Sequence, residues 1–388
     1  MNRIDSIGFA LDPTNVPAFL LDWELTKLCN LDCSYCVAEP EWGGHDNTTK
    51  HPPLDECLGT IDFMYEYVDL YMGFKKASQR KVVLNMYGGE SLFHPDIVEI
   101  FEECHSRYQQ YKDKWGLTIT CTTNGVVGEN HWKRIVPLVD EFIVSYHPEN
   151  LPKQKQQYLD NLLYLKEHNK RFKCIVMMHN DPVMFEDSLK VVEFCQENKI
   201  NFLAKAIDHY DEKFTYTKDQ FDHLKTFWIK KEPNARNVEY NNKLDSIGTS
   251  CQIQSGNEGR ACCGGRKLSL NNDLKSNISF VPAQGFRDWH CSVNWFFLFV
   301  QQLTGNVYTN KDCRTSTTGK VEPLGNLSNY TEILNTLKKQ LDNQDLPVIK
   351  CVKDICWCGI CAPKAKSIDD FKNLIKRNLA VNIFEKET

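Results

Sequence analysis

The chain has 388 residues, a length that suits two to three domains and a large core. Its 41% hydrophobic and 25% charged content is that of a globular protein, and a net charge of −5 supplies no basic footprint for nucleic acid or an anionic membrane surface. No apolar run approaches the roughly 18 residues of a bilayer-spanning helix, and Met1–Gly8 lacks the apolar core of a secretory signal.

Residues 18–207 alternate short β-rich runs with longer helical patterns. Strands are expected at Phe19–Leu25, Val82–Tyr87, Leu117–Thr122, Glu141–Ser145, Lys173–Met178 and Asn201–Ile207. Helices are expected between them, at Leu54–Tyr71, Pro95–Tyr111, His131–Val136, Gln156–His168 and Phe185–Asn198. Such alternation argues for βα units around a parallel sheet, in the α/β class. Pattern alone does not separate a partial barrel from a doubly wound sheet. In both, ligands collect at the C-terminal ends of the strands. Residues 209–250 are polar and aromatic and read as a linker or helical insertion carrying one helix, Thr217–Ile229. Cysteines return at high density from Cys251 to Cys361. Ile368–Phe384 reads as a final amphipathic helix.

The 17 cysteines are bunched at tight spacings. Without a secretory signal, metal binding accounts for them better than disulfides, in a reducing, cytoplasmic compartment. Just after the first strand stands Cys29-Asn-Leu-Asp-Cys33-Ser-Tyr-Cys36, with C-x3-C-x2-C spacing. Three thiolates this close can grip one iron–sulfur cluster. A [4Fe–4S] cube then keeps one iron without a protein ligand, open to something that reacts. The alternatives are three unrelated buried thiols or half of a zinc site. Zinc sites pair their cysteines as separated knuckles, and no partner knuckle lies nearby.

The triplet resembles the signature of the radical S-adenosylmethionine (radical SAM) superfamily, including the aromatic Tyr35 before its third cysteine. The resemblance implies a partial (β/α)6 TIM-like barrel. It also implies a [4Fe–4S] cluster on Cys29, Cys33 and Cys36, and S-adenosylmethionine (AdoMet) chelated to the open iron. Reductive cleavage would then give a 5′-deoxyadenosyl radical that abstracts hydrogen from substrate. An electron donor such as flavodoxin or ferredoxin is implied with it. Tyr87-Gly-Gly-Glu-Ser91, at the end of the second strand, resembles the family's GGE motif. Carried over by position, Gly88, Gly89 and Glu90 become AdoMet contacts. The Thr122-Thr-Asn-Gly125 turn suits a polar ligand through Asn124, with a plain turn as the alternative. In related enzymes a serine at the place of Ser145 contacts the ribose. His147 faces the same mouth as an acid–base candidate, with Lys205 and Asp208 ranked below it. Met177, Met178, Cys57, Cys104, Cys121, Cys174 and Cys195 read as core.

In the last third, Cys291, a hairpin (strand Trp295–Leu303, turn Thr304–Asn306, strand Val307–Asn310) and Cys313 make a C-x13-G-x7-C pattern. Cys356-Trp-Cys358-Gly-Ile-Cys361 follows. With Leu324-Gly-Asn326, this resembles the SPASM and twitch auxiliary domains, although the second gap is longer than theirs. The resemblance implies one auxiliary [4Fe–4S] cluster on Cys291, Cys313, Cys358 and Cys361, with Cys351 and Cys356 the next candidates. A structural zinc site is the alternative. Asp288 and His290, beside Cys291, are further catalytic candidates. The resulting organisation is a radical SAM core at 15–208, a linker at 209–250, a small cysteine-rich auxiliary domain at 251–365 and a C-terminal helix at 366–388. A peptide or protein substrate, oxidised or cross-linked, is implied. The alternatives are a sugar, nucleotide or RNA substrate, or a non-catalytic iron–sulfur electron carrier or metal-stabilised binding module.

Overall fold

The structure, a computed structural model, describes residues 18–36, 45–73, 80–207, 215–228, 288–291, 293–310, 322–343, 348–351, 364–365, 367–369 and 371. Six strands alternate with helices: β1 (Phe19–Thr26), α1 (Leu54–Met72), β2 (Lys81–Gly88), α2 (Ile97–Tyr108), β3 (Gly116–Thr123), α3 (Glu129–Ile135), β4 (Glu141–Tyr146), α4 (Pro152–Glu167), β5 (Arg171–Met178), α5 (Pro182–Glu197) and β6 (Phe202–Ala206). Each strand pairs in parallel with the next, in the order β1 to β6. This is the expected α/β architecture, an open partial barrel.

The sheet buries its outer face under the helices. Phe19, Leu21, Trp23 and Leu25 of β1 join Phe63, Tyr67 and Tyr71 of α1 in the main core. The Phe19 ring lies 5.6 Å from that of Tyr71. Burial of each such side chain stabilises the fold by about 1.5–3 kcal/mol. The alternate residues of β1 are buried as well, so the strand has no exposed face. Parallel strands covered on both sides read as continuous apolar runs.

The cover on the inner side comes from far along the chain. After β7 (His290–Cys291), the expected hairpin forms from β8 (Phe297–Gln301) and β9 (Asn306–Tyr308). It does not stand apart. β8 pairs in parallel with β1, Leu20 opposite Phe297 and Glu24 opposite Gln301, and extends the barrel sheet to nine strands. Phe297, Phe299 and Tyr308 pack on Leu20 and Val83. Trp23 Nε1 donates to Gln302 Oε1 at 3.0 Å.

Asn326 of β10 (Gly325–Asn326) donates through Nδ2 to Thr304 O at 2.9 Å and Asn306 Oδ1 at 3.2 Å, fixing the hairpin turn. That is the local work of the Leu-Gly-Asn segment. α7 (Tyr330–Asp342) then returns to α1, where Tyr330 meets Phe63.

α6 (Lys218–Trp228), expected inside a linker, packs on the barrel instead: the Phe227 ring lies 6.2 Å from Phe202 of β6. A second sheet of three short strands places β7 between β11 (Ile349–Lys350) and β12 (Lys364–Ala365). Of the expected C-terminal helix, all but 368, 369 and 371 lie outside the described residues. Among the described residues, no helix is long and apolar enough to cross a membrane.

Candidate functional site

The cysteine loop leaves the C-terminal end of β1, at the mouth of the barrel. Cys29, Cys33 and Cys36 are free thiols. Together with Met177 they pack against a small cluster of Leu31, Tyr35 and Ile207. Met177, expected in the core with Met178, therefore sits on the inner face beside the triplet. Cys57, Cys104, Cys121, Cys174 and Cys195 are fully buried, as expected of core thiols.

Each sulfur of the triplet meets nitrogen. Cys29 Sγ accepts from Leu31 N at 3.4 Å and lies 3.8 Å from Asn124 Nδ2. Cys36 Sγ accepts from His45 N at 3.4 Å. Cys33 Sγ lies 3.6 Å from His147 Nδ1. Burial pushes the Cys29 and Cys33 thiols up to about 12. A bound cation reverses that preference by holding the thiolate. Among the described residues, no three His, Cys, Asp or Glu side chains meet where a single metal ion would sit. A four-iron cube asks for something else: one thiolate at each of several corners, spread around the cube. Three thiols in one loop, two of them with backbone N–H donors at sulfur, fit that group.

The Gly-Gly-Glu turn touches this loop directly. Gly89 N donates to Thr26 O and Glu90 N to Leu28 O, both at 2.8 Å. A Cβ on Gly88 would collide with the Thr26 carbonyl, and one on Gly89 with the carbonyls of Lys27 and Leu28. Neither glycine has a positive φ, and close backbone approach is what excludes a side chain there. Glu90 is 1% exposed. Its Oε1 accepts from Leu92 N at 3.0 Å and Thr123 Oγ1 at 2.8 Å, and its Oε2 from Asn124 N at 2.6 Å. Both oxygens are occupied, so the side chain braces two turns. Burial pushes its carboxyl up to about 7, against the pull of those donors.

Asn124 also faces the cysteine loop. Its Nδ2 donates to Asn30 Oδ1 at 2.7 Å, and Asn30 Nδ2 donates to Val126 O at 2.8 Å. Cys29 N donates to Asn47 Oδ1 at 3.0 Å. Ser145 alternates with the core residues Val144 and Tyr146, which puts it on the inner face of β4. The His147 ring stacks on Tyr35, with centroids 5.9 Å apart, and its Nδ1 lies 2.8 Å from the Tyr35 hydroxyl. Burial, then the charge of Lys205, lowers the His147 pKa to about 4. Two residues on, Glu149 Oε2 accepts from Ser34 N at 2.6 Å, and its Oε1 accepts from the Ser34 hydroxyl. His179 Nε2 is 3.5 Å from the same carboxylate. Asn30, Asn47 and Glu149 escaped the sequence reading; a carboxylate two residues beyond His147 at a strand end was the one signal. Asp208 lies outside the described residues.

The other candidate residues lie at the opposite end of the barrel. Cys291 packs on Leu20 and Val83, near the N-terminal ends of β1 and β2, with Ile349 opposite it in β11. Cys351 N donates to Trp289 O at 2.9 Å, and Asp288 N to Cys351 O at 2.7 Å. Two residues on from Ile349, Cys351 shares a face with Cys291. Asp288 and His290 belong to this small sheet, not to the mouth that holds the triplet. Cys313, Cys356, Cys358 and Cys361 lie outside the described residues.

No family model matches the chain. A stretch of 114 residues is 32% identical to the AdoMet-dependent heme synthase of Methanosarcina barkeri (strain Fusaro / DSM 804); it covers 29% of this chain and 26% of that protein. The chain thus spans about a quarter of the length of that curated relative. Among solved structures it is similar to native anSMEcpe with bound AdoMet, at TM-score 0.47 and 13% identity over 93% of this chain and 97% of that one. Native anSMEcpe with bound AdoMet and Cp18Cys peptide gives TM-score 0.45 and 14% identity over 92% and 95%. The stretch of chain similar to an AdoMet-dependent enzyme thus belongs to a protein whose cysteine loop lies at the barrel mouth, with the Gly-Gly-Glu turn bonded to it.

Proposed function

We propose that the chain is a radical SAM enzyme acting on a peptide or protein. Cys29, Cys33 and Cys36 would hold a [4Fe–4S] cluster. AdoMet would sit between the loop and the inner face of β2 to β4, within reach of Gly88, Gly89 and Ser145. When bound, these groups supply a one-electron cleavage of AdoMet to methionine and a 5′-deoxyadenosyl radical that takes hydrogen from substrate. The chain's own residues do the positioning. Asn30, Asn47 and Asn124 hold the loop at Cys29, and Glu149 holds it at Ser34. The observation that carries the reading is the union of the cysteine loop with the Gly-Gly-Glu turn through two backbone hydrogen bonds.

An auxiliary cluster near Cys291 and Cys351 belongs to the same proposal. Its support is the placement of both thiols on one face of the small sheet and the likeness of the hairpin to SPASM and twitch domains. The peptide substrate class rests on that likeness.

The experiment is anaerobic reconstitution of the full chain, followed by dithionite and AdoMet. The expected product is 5′-deoxyadenosine, abolished by Cys33→Ala. A fully iron-loaded chain that yields none overturns the enzyme reading. Deuterated cell extract, split into peptide and small-molecule fractions, tests the substrate class. Deuterium should enter 5′-deoxyadenosine from the peptide fraction; transfer from the small-molecule fraction alone would reject a peptide substrate.

A further inference from the structure

The turn after β4 carries an amide with no bond inside the fold. Asn150 is 5% exposed, and its Nδ2 and Oδ1 are both buried without a hydrogen-bond partner among the described residues. Buried amides are paired as a rule, because a donor or acceptor cut off from water and left alone destabilises the fold. The backbone here is held by bonds of its own. Asn150 N donates to His147 O at 3.1 Å, and Lys155 N donates to Leu151 O at 3.0 Å. The Asn150 side chain takes part in neither, so turning it outward to a ligand breaks no hydrogen bond.

An apolar shelf adjoins it. Leu151 is 66% exposed, and Val183, at the start of α5, is 78% exposed. Pro152 and Pro182 beside them are exposed too. The two pairs are neighbours in space. Lys155, one turn after Leu151, donates through Nζ to Asp187 Oδ2 at 2.5 Å, and Asp187 is one turn after Val183. Residues four apart share a helix face. The ion pair therefore aligns the two faces that Leu151 and Val183 head, about 5.4 Å further toward the mouth. Tyr146, the last residue of β4, donates to the same Asp187 oxygen at 2.6 Å and ties both helix starts to the strand end. Single exposed apolar residues are ordinary. Four of them on adjoining helix starts, at the end of a parallel sheet where ligands collect, mark a contact surface.

The shelf borders the cysteine loop. Glu149, just before Asn150, accepts from Ser34 N at 2.6 Å, and His179, three residues before Pro182, lies 3.5 Å from that carboxylate. Chemistry sets what fits there. The main chain of an extended peptide offers a C=O for Nδ2 of Asn150 and an N–H for Oδ1, and its side chains offer apolar surface for the shelf. A sugar would pair with the amide and leave the shelf in water.

We propose that Asn150, Leu151 and Val183 form the docking site of the peptide substrate: Asn150 hydrogen-bonds a main-chain peptide group, and the shelf of Leu151, Pro152, Pro182 and Val183 receives an apolar side chain beside it. This rests on the peptide reading above and gives it a place and a preference, for a segment that carries an apolar residue.

The test uses the reconstituted full-length chain with dithionite, AdoMet and a limiting amount of the peptide fraction of deuterated cell extract. The readout is the share of 5′-deoxyadenosine that carries deuterium. Asn150→Leu, Leu151→Asp and Val183→Asp should each lower that share about tenfold, the effect of one lost contact. About tenfold more peptide should restore most of it, since the loss is in binding. Val183→Ile, which keeps the shelf apolar, should keep the parental share. Urea unfolding separates docking from damage. Leucine fills the volume of Asn150 without buried polar atoms, so the midpoint of Asn150→Leu should equal or exceed the parent's. A lower midpoint would make Asn150 a structural residue and overturn its assignment. A parental share in Asn150→Leu, or in both aspartate variants, overturns the proposal, as does a loss that excess peptide does not restore. Dithionite needs no protein donor, so a shelf built for an electron-donor protein would show itself by parental shares. A parent that sediments as a dimer, made monomeric by Val183→Asp, would give the shelf to a second copy and overturn the proposal as well. Failure of the underlying reading looks different and is seen in the parent alone: no 5′-deoxyadenosine refutes the enzyme, and deuterium from the small-molecule fraction alone refutes the peptide.

Discussion

Glu90 Oε2 accepts the backbone N–H of Asn124 at 2.6 Å, which locks the turn after β2 to the turn after β3. The other oxygen, Oε1, takes Leu92 N and Thr123 Oγ1. An amide in place of the carboxylate puts an N–H₂ against one of these donors. Glu90→Gln should therefore destabilise the iron-free chain by about 1–3 kcal/mol, the cost of a buried donor left without its acceptor. Urea unfolding at pH 7.5 measures it. A midpoint equal to the parent's would return Glu90 to the role of a simple ligand contact.

The same carboxyl predicts a pH dependence. In the unfolded chain it titrates near its ordinary 4.5; burial in the fold raises it to about 7. The folded state thus binds more protons between those values. Stability linked to Glu90 is full below pH 4.5 and is lost as pH rises through 7, on the order of 3 kcal/mol. His147 acts with the opposite sign in an overlapping window. Its pKa falls from 6.5 to about 4, so its contribution is lost as pH drops from 6.5 toward 4. Between about pH 4.5 and 6.5 the two groups oppose each other, and the parent's unfolding free energy should be nearly level there. Glu90→Gln removes the falling contribution, so its unfolding free energy should rise with pH between about 4 and 6.5. An equally level profile in Glu90→Gln would assign the dependence to another group.

Two glycines give a contrast in sign. A Cβ at Gly89 meets the backbone carbonyls of Lys27 and Leu28, which cannot swing aside. Gly89→Ala should cost about 1–3 kcal/mol and weaken AdoMet binding by pushing the turn off the loop. Gly59, inside α1, has no neighbour within 4 Å of an added Cβ. Gly59→Ala should stabilise by about 0.5–1 kcal/mol through helix propensity. Thermal melts of the two variants should move in opposite directions.

Much of this molecule was legible in the sequence, and the gaps have physical causes. The six strands fell within two residues of their observed ends, because apolar runs mark them directly. α4 begins at Pro152, four residues before the apolar pattern suggests. Its period marks the buried face (Tyr158, Leu162, Leu165), while its start is set by Gln154 accepting from Leu151 N. α5 likewise starts at Pro182, where Asp181 accepts from Val183 N and Met184 N. The β8–β9 hairpin was visible, but its docking on β1 was not. Its continuous run Phe296–Val300 is the mark of a strand covered on both faces. In the site, cysteine spacing marked the loop that the structure places at the barrel mouth. Glu149 and Asn30 act across long sequence separations, and only the place of Glu149 two residues beyond His147 hinted at either.

Cys291 and Cys351 share one face of the small sheet, far from the triplet. β1 runs from Leu20, under Cys291, to Thr26 at the mouth, about 20 Å at a strand's usual rise. Iron held at the two ends should therefore be lost independently. Cys291→Ala/Cys351→Ala should remove part of the reconstituted iron and leave the triplet's signal, including its change on adding AdoMet. Total iron equal to the parent's would remove both residues from any auxiliary site.

Glu149 gives the sharpest local test of how the loop is held. It accepts the backbone N–H of Ser34 at 2.6 Å and the Ser34 hydroxyl, so it pins the residue between Cys33 and Tyr35. Glu149→Ala should leave the global melt within about 0.5 kcal/mol, since the contact lies at the exposed rim. It should also speed the loss of iron to a chelator several-fold, because an unpinned loop presents Cys33 less often to its iron. Ser34→Ala, which removes only the hydroxyl and keeps the backbone bond, should fall between Glu149→Ala and the parent. Equal chelation rates in all three proteins would mean that the loop is held at Cys29 alone, by Asn30, Asn47 and Asn124.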